Sequence, residues 1–398
     1  MREFLQRRDF FSIWFVCAMT IAEISTGSLM APLGLCRGLF AIVVGHILGM
    51  CVFFLCGHIG SREKLAAIES TTLSYGKVGL YLFSLLNIVQ LIGWTAVIEV
   101  IAGSAINSLS SSLWGFNHQT FWSISIGVGI CFWVLLGSQI GIGKLNKIAI
   151  VCLLVLVVIF NGAIVSHIRD IPVYKMVGTI TFSQSVILSI SMIFSWLPLV
   201  SDVTKSSKNG WHGSLYSTIG YFIGSCWMFS TGLLAALITH SYSPFDMALK
   251  LKIGLLVLII VFISSITGSY IDAHSAGIDF INIFRKFPPK YAALTMAVIG
   301  TVLIQFLPLT RYIDFLTFIG ALFAPLFAIV ITDYYILKKN HSKIKVNYAA
   351  VIAWCVGVYL YYAFLTYNNW LSMTLPSMVV TGVIYSILQR VMRKRKCI

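Results

Sequence analysis

Four carboxylates, Glu23, Glu99, Asp272 and Asp279, stand inside long apolar runs. Charge at the centre of a bilayer costs at least about 2.5–3.5 kcal/mol even on lenient insertion scales, so such groups are candidates for function. Glu23 belongs to the stretch AEISTGS, Ala22–Ser28, with Pro32 four residues on. A carboxylate, hydroxyls, a glycine and a proline are the residue types that interrupt a membrane helix and free its carbonyls for an ion. Glu23 could act there as a proton acceptor, as the charge of a cation site, or as the partner of an amino group. Its structural alternative is a carboxylate capping the N-terminus of a half-helix. The carbonyls of Ala22 and Ile24 could serve a hard cation such as sodium, with the hydroxyl of Thr267 completing the site.

Gln90 and Trp94 are about one helical turn apart and share a face. An indole offers a stacking platform to a flat ring, and a carboxamide offers a donor and an acceptor to the ring edge. The alternative is that Trp94 packs against neighbouring helices while Gln90 hydrogen-bonds across them. Glu99 is turned partly aside from this pair, which leaves it equally an interhelical partner or a ligand contact. The string TGSYIDAHSAGID, Thr267–Asp279, is too polar to face lipid with Thr267, Ser269, Asp272 and His274 together, so its helix must border a cavity. His46 and His58 lack metal-ligand companions and read as packing or interfacial residues.

The elements that hold these residues follow from composition. Of 398 residues, 58% are hydrophobic and 10% charged, a balance of an integral membrane protein. Apolar runs of about 20 residues, rather than short alternating strands, predict transmembrane helices and exclude an outer-membrane barrel. Twelve spans are expected, near 10–33, 38–58, 78–108, 119–138, 148–168, 181–200, 213–239, 254–282, 291–310, 314–337, 348–366 and 371–392. The basic N-terminus leads into a run longer than a signal-peptide core, which reads as a retained helix. The nine cysteines are scattered, with no disulfide or metal framework.

The net charge of +15 reports topology rather than nucleic-acid binding. All Lys and Arg residues except Arg37, Arg169, Lys175, Lys250, Lys252 and Arg311 fall in alternate connectors or the tails. The positive-inside rule then puts both termini in the cytoplasm, in the inner (plasma) membrane. The connector Gly60–Gly76 is amphipathic and is expected to lie as a short helix at the inner face. In the sixth segment Ser195 and Trp196 precede Pro198, a second interruption. Interruptions in segments one and six, five helices apart, are the arrangement of two inverted five-helix repeats whose broken helices meet at the midplane. The single transporter domain then divides into a first repeat at 10–168, an inverted repeat at 181–337, two further helices at 348–392 and a basic cytoplasmic tail at 393–398.

Three stretches carry a family resemblance: FIGALFAPLFAIVITDYYILKK (Phe318–Lys339), the QLIGW run ending at Trp94, and SDVTK (Ser201–Lys205), with Lys205 where the family has arginine. The chain resembles the nucleobase:cation symporter-1 family of cytosine, purine and hydantoin permeases. AEISTGSLMAPLG (Ala22–Gly34) and IVVGHILG (Ile42–Gly49) look most like its hydroxymethylpyrimidine-transporter branch, which imports the pyrimidine half of thiamine. The resemblance implies the inverted-repeat fold, sodium or proton coupling without another cofactor, and a ring stacked at Trp94. It also implies a second aromatic in helix six, where Phe194 and Trp196 stand, and polar contacts from helix eight, where Ser269, Tyr270 and Asp272 stand instead of the usual Asn. An aminopyrimidine suits a carboxylate such as Glu23 or Asp272.

Other classes fit less well. An amino-acid transporter of the same fold would bind its substrate's carboxylate at half-helix termini and need no acidic residues there. A channel would show a selectivity repeat, and an enzyme a catalytic constellation; the sequence has neither, and no nucleotide loop. The expected partners are a small heterocycle and the lipid bilayer, not nucleic acid.

Overall fold

A chain this apolar must satisfy its own backbone N–H and C=O groups, and within one segment only a helix does so. The computed structural model describes residues 5–137, 142–167, 178–250, 254–304, 306, 311–365 and 374–394, and among these there are helices and no strands. The first half contains α1 (Arg7–Cys17), α2 (Ile21–Ser28), α3 (Leu35–Glu63), α4 (Ala67–Ser70), α5 (Thr72–Tyr75), α6 (Lys77–Trp114), α7 (Gln119–Gly137) and α8 (Ile142–Ser166). The second contains α9 (Phe182–Phe194), α10 (Leu197–Thr204), α11 (Gly210–Thr239), α12 (Pro244–Lys250), α13 (Gly254–Ile283), α14 (Pro289–Leu303), α15 (Tyr312–Ile331), α16 (Tyr348–Leu365) and α17 (Thr374–Lys394). Among the described residues seven helices are long and apolar enough to cross a bilayer, or nine if each of two bent pairs is one crossing. Their outward faces remain apolar, as Phe40, Val43 and Ile47 on α3 and Val128 and Phe132 on α7 show. This is the pattern of a multi-pass membrane protein.

The bent pairs are α1 with α2 and the turn after it, at 57°, and α9 with α10, at 42°. The second bend lies where the sequence places it: Ser195 and Trp196 form the turn, and Pro198 lies in the first turn of α10, where its missing N–H costs no helical bond. The first bend corrects the expectation. AEISTGS is not the interruption but the body of α2, and the chain turns earlier, at Ala18–Thr20, and again at the 3-10 turn Ala31–Leu33. The reason is a helix start. Thr20 caps α2 by accepting the Glu23 N–H at 3.4 Å, and Glu23 occupies the third helical position, so Thr-x-x-Glu begins a helix here.

The helices sort into two packed groups. One contains α1, α2, α3, α9, α10 and α11; the other contains α6, α7, α8, α13 and α14. Helix α15 packs on α9, and α16 and α17 pack on α15. Within the first group α2 and α11 touch backbone to backbone. A Cβ at Gly27 would lie 2.1 Å from the Phe229 carbonyl oxygen, and one at Gly232 would lie 2.0 Å from that of Ile24. Glycine is what lets membrane helices approach so closely.

The connector between α3 and α6 folds as two short helices, α4 and α5, and is tied down from both sides. Asp202 of α10 accepts the Ala67 N–H at 3.0 Å. On the other side Asn347 donates to the Ser74 carbonyl at 2.7 Å, and Lys77 and Val78 donate to the Ile344 and Lys345 carbonyls. Helix α15 carries Pro325 internally and runs into a π-helical segment, Thr332–Leu337, whose buried Asp333 accepts from Tyr385 of α17 at 2.6 Å.

Candidate functional site

The two bends meet. Trp14 of α1 packs edge-on against Trp196 at 5.7 Å between ring centroids, and Tyr221 of α11 lies 6.1 Å from both rings. From the second helix group, α6 reaches this place with Gln90. Its Nε2 donates to the Ser195 carbonyl at 2.8 Å and to Asn87 Oδ1 at 3.2 Å, which uses both amide hydrogens. Its Oε1 is buried without a partner among the described residues. One turn on, Trp94 is 7% exposed and presents its ring edge-on to Phe315 and Tyr312 of α15, at 5.3 and 6.2 Å.

Glu23 is held by the opposite wall. Tyr221 and Ser225, one turn apart on α11, each donate to one of its carboxylate oxygens at 2.6 Å. Phe194 is fully buried at the end of α9, and Trp196 stands at the start of α10. On α13, Ser269 Oγ is buried and unpartnered among the described residues, and Asp272 is 7% exposed within electrostatic reach of Cys17 at the end of α1. Thus Gln90, Trp196 and Glu23 are linked through Ser195 and Tyr221, Asp272 faces the first bend, and Trp94 closes against α15.

The expected cation ligands do not converge in this way. The Ala22 carbonyl accepts from Thr26 Oγ1 at 2.7 Å and from Tyr312 at 3.4 Å, toward α15. The Ile24 carbonyl presses on Gly232 of α11. Two residues apart on a helix are about 200° apart around its axis, so the two carbonyls lie on opposite sides of α2. The Thr267 side chain lies outside the described residues.

Glu99 is an interhelical partner: Thr301 of α14 donates to it at 3.0 Å, while its Oε2 has no partner among the described residues. Asp279 accepts from Asn87 at 2.6 Å and Asn282 at 3.4 Å. Tyr221, Ser225, Tyr312, Thr26 and Asn87 carry no motif of their own in the sequence, and His46, expected as a packing or interfacial residue, instead hydrogen-bonds Ser225. A signal was present in GYFIGSC, Gly220–Cys226, where Tyr221 and Ser225 recur at helical spacing beside two glycines.

A family model for permeases for cytosine/purines, uracil, thiamine and allantoin matches residues 5–388. The chain belongs to this permease family. It is therefore a transporter and not an enzyme. The cytosine permease of Escherichia coli (strain K12) is 23% identical over 372 residues, covering 89% of this chain and 84% of the relative. Among solved structures, the inward-facing conformation of Mhp1 superposes with a TM-score of 0.81 at 15% identity, covering 98% of this chain and 91% of that one. Mhp1 is also known closed with bromovinylhydantoin bound, as a nucleobase-cation-symport-1 family transporter, and that structure gives 0.79 at 15% identity over 98% and 93%. This chain thus shares the fold of Mhp1.

Proposed function

We propose that the chain imports a flat, aminated heterocycle, an aminopyrimidine such as hydroxymethylpyrimidine, together with a sodium ion or a proton, by alternating access at a midplane site. The observation that carries this reading is Gln90. Both its amide hydrogens are spent inside the protein, so the buried Oε1 is an acceptor with no donor among the described residues, one turn from the Trp94 indole. A ring that stacks on the indole and brings an exocyclic N–H satisfies both groups at once. Glu23, Phe194, Trp196, Ser269 and Asp272 complete the proposed lining.

Twelve membrane spans in two inverted five-helix repeats with α16 and α17 added, both termini in the cytoplasm and residence in the inner membrane belong to the same proposal. The two bends, the two packed helix groups and the one-sided basic connectors support it. Cytosine is itself an aminopyrimidine, and the similarity to the E. coli permease favours it as the competing substrate.

A thermal-shift panel of pyrimidines, purines, hydantoins and thiamine fragments, with and without sodium, tests the reading. A ligand at a hundred times its Kd stabilises by about 2.7 kcal/mol. Stabilisation by aminopyrimidines, followed by their uptake into proteoliposomes, is expected. Stabilisation by amino acids and by none of the heterocycles would overturn it.

A further inference from the structure

Glu23, Ser225 and His46, on α2, α11 and α3, are 1%, 0% and 0% exposed. They form a line of short contacts. His46 Nδ1 is 2.8 Å from the Ile42 carbonyl, which only accepts, so Nδ1 carries a hydrogen. His46 Nε2 is 2.6 Å from Ser225 Oγ, and Ser225 Oγ is 2.6 Å from Glu23 Oε2. Ser225 has one hydroxyl hydrogen for these two neighbours. With a neutral imidazole and an ionised carboxylate both neighbours are acceptors, and one contact lacks a hydrogen.

Both contacts are filled when one more proton is present. It can sit on Glu23, which then donates to Ser225 while Ser225 donates to Nε2. It can equally sit on Nε2, which then donates to Ser225 while Ser225 donates to the carboxylate. The two arrangements interconvert by moving one hydrogen across each contact, and the net charge is the same in both.

We propose that Glu23, Ser225 and His46 form a relay that binds one exchangeable proton, and that this proton is the coupling cation. The second half of that statement rests on the transport reading above; the relay itself does not. The surroundings favour a proton over a metal ion. Tyr221 of α11 fills Glu23 Oε1, the rings of Phe222 and Phe229 of α11 stand edge-on to His46 at 6.4 and 4.9 Å, and the nearby carbonyls of Ala22 and Ile24 lie on opposite sides of α2. The other titratable groups facing Glu23 are Cys226 on α11 and Tyr312 on α15, while Cys17 and Asp272 face each other across the bend. Among the described residues the ion pairs are Arg8–Asp9 and His341–Asp333, so no Lys or Arg pairs with Glu23. The Tyr221 ring also packs edge-on against Trp196 at 6.1 Å, which connects the relay to the second bend.

The test is an infrared pH titration of the ligand-free protein in sodium-free buffer, following the C=O stretch of a protonated carboxyl, assigned to Glu23 by its loss in Glu23→Gln. In the relay, Ser225→Ala and His46→Gln each shift the midpoint of that band by about one pH unit or more, a tenfold change in proton affinity. Ser225→Ala removes a single oxygen and keeps the test open if His46→Gln does not fold. An unshifted midpoint in Ser225→Ala, absence at every pH of both that band and an imidazolium ring band assigned to His46 by its loss in His46→Gln, or removal of the proton's band by sodium at constant pH would overturn the proposal. The spectra need no substrate, so a failure of import by every heterocycle leaves them unaffected.

Discussion

Gln90 donates its side-chain amide to the main-chain carbonyl of Ser195 at 2.8 Å, joining the longest helix of one group to the bend in the other. A bend frees carbonyls, and a freed carbonyl in a buried place needs a donor. The same contact holds Gln90 in one orientation and leaves Oε1 as the open acceptor.

Gln90→Leu removes both roles. Leaving the Ser195 carbonyl unpaired is expected to lower stability by about 1–3 kcal/mol, seen as a reduced Tm of the purified protein, and to abolish stabilisation by aminopyrimidines. Gln90→Glu keeps an acceptor but not the donor to Ser195, so it should share the drop in Tm. Ligand stabilisation undiminished in Gln90→Leu would remove Gln90 from the site.

Trp94→Ala separates stacking from packing. Base-to-aromatic stacking is worth about 1–3 kcal/mol, so ligand affinity should fall by about fivefold to 150-fold in titration calorimetry. Trp94→Phe, which keeps a ring against Phe315 and Tyr312, should lose much less. Equal affinities for the Ala and Phe variants would count against a stacked ring.

Gly232→Ala brings a Cβ within 2.0 Å of the Ile24 carbonyl oxygen, which is backbone and has nowhere to rotate. The expected loss is about 1–3 kcal/mol by overpacking, with α2 displaced from α11. Gly162→Ala meets nothing within 4 Å and gains helix propensity, so it should be neutral or slightly stabilising. Thermal denaturation of both variants decides whether the α2–α11 contact is as tight as described.

Tyr385→Phe deletes the donor to Asp333 and also a partner of Asn347 and Gln389. A hydrogen bond to a buried carboxylate contributes about 1.5–3 kcal/mol, so a lowered Tm is expected. Proteolysis should quicken at the α4–α5 connector, which this network secures through Asn347 and Ser74. Unchanged digestion there would show that the connector is held by Asp202 instead.

Thr20→Ala should cost about 1 kcal/mol by loss of the α2 cap, while Thr20→Ser keeps it. If the two variants have the same Tm, the 3.4 Å contact contributes nothing measurable.

Much of this was legible in the sequence. Apolar length and the placement of Lys and Arg marked the helical segments, and Ser195-Trp196-x-Pro198 marked the second bend, because proline acts locally. The first bend lies a few residues before AEISTGS because Thr20-x-x-Glu23 is a helix-start pattern, which outweighs the glycine and hydroxyls that follow it. The type of each chemical group was equally plain: a carboxylate, an indole and a carboxamide in places where each must serve a purpose.

The sequence by itself determined that these polar groups are buried in helices and which of them share a helical face, since spacing sets direction around an axis. Only the tertiary structure decided which helix each face meets. Glu23 turns to Tyr221 and Ser225 because Gly27 and Gly232 let α2 and α11 touch, and the Ala22 carbonyl meets Tyr312 because its place around the α2 axis is on the side of α15. Contacts between residues some two hundred positions apart depend on how helices pack, and no local pattern encodes that.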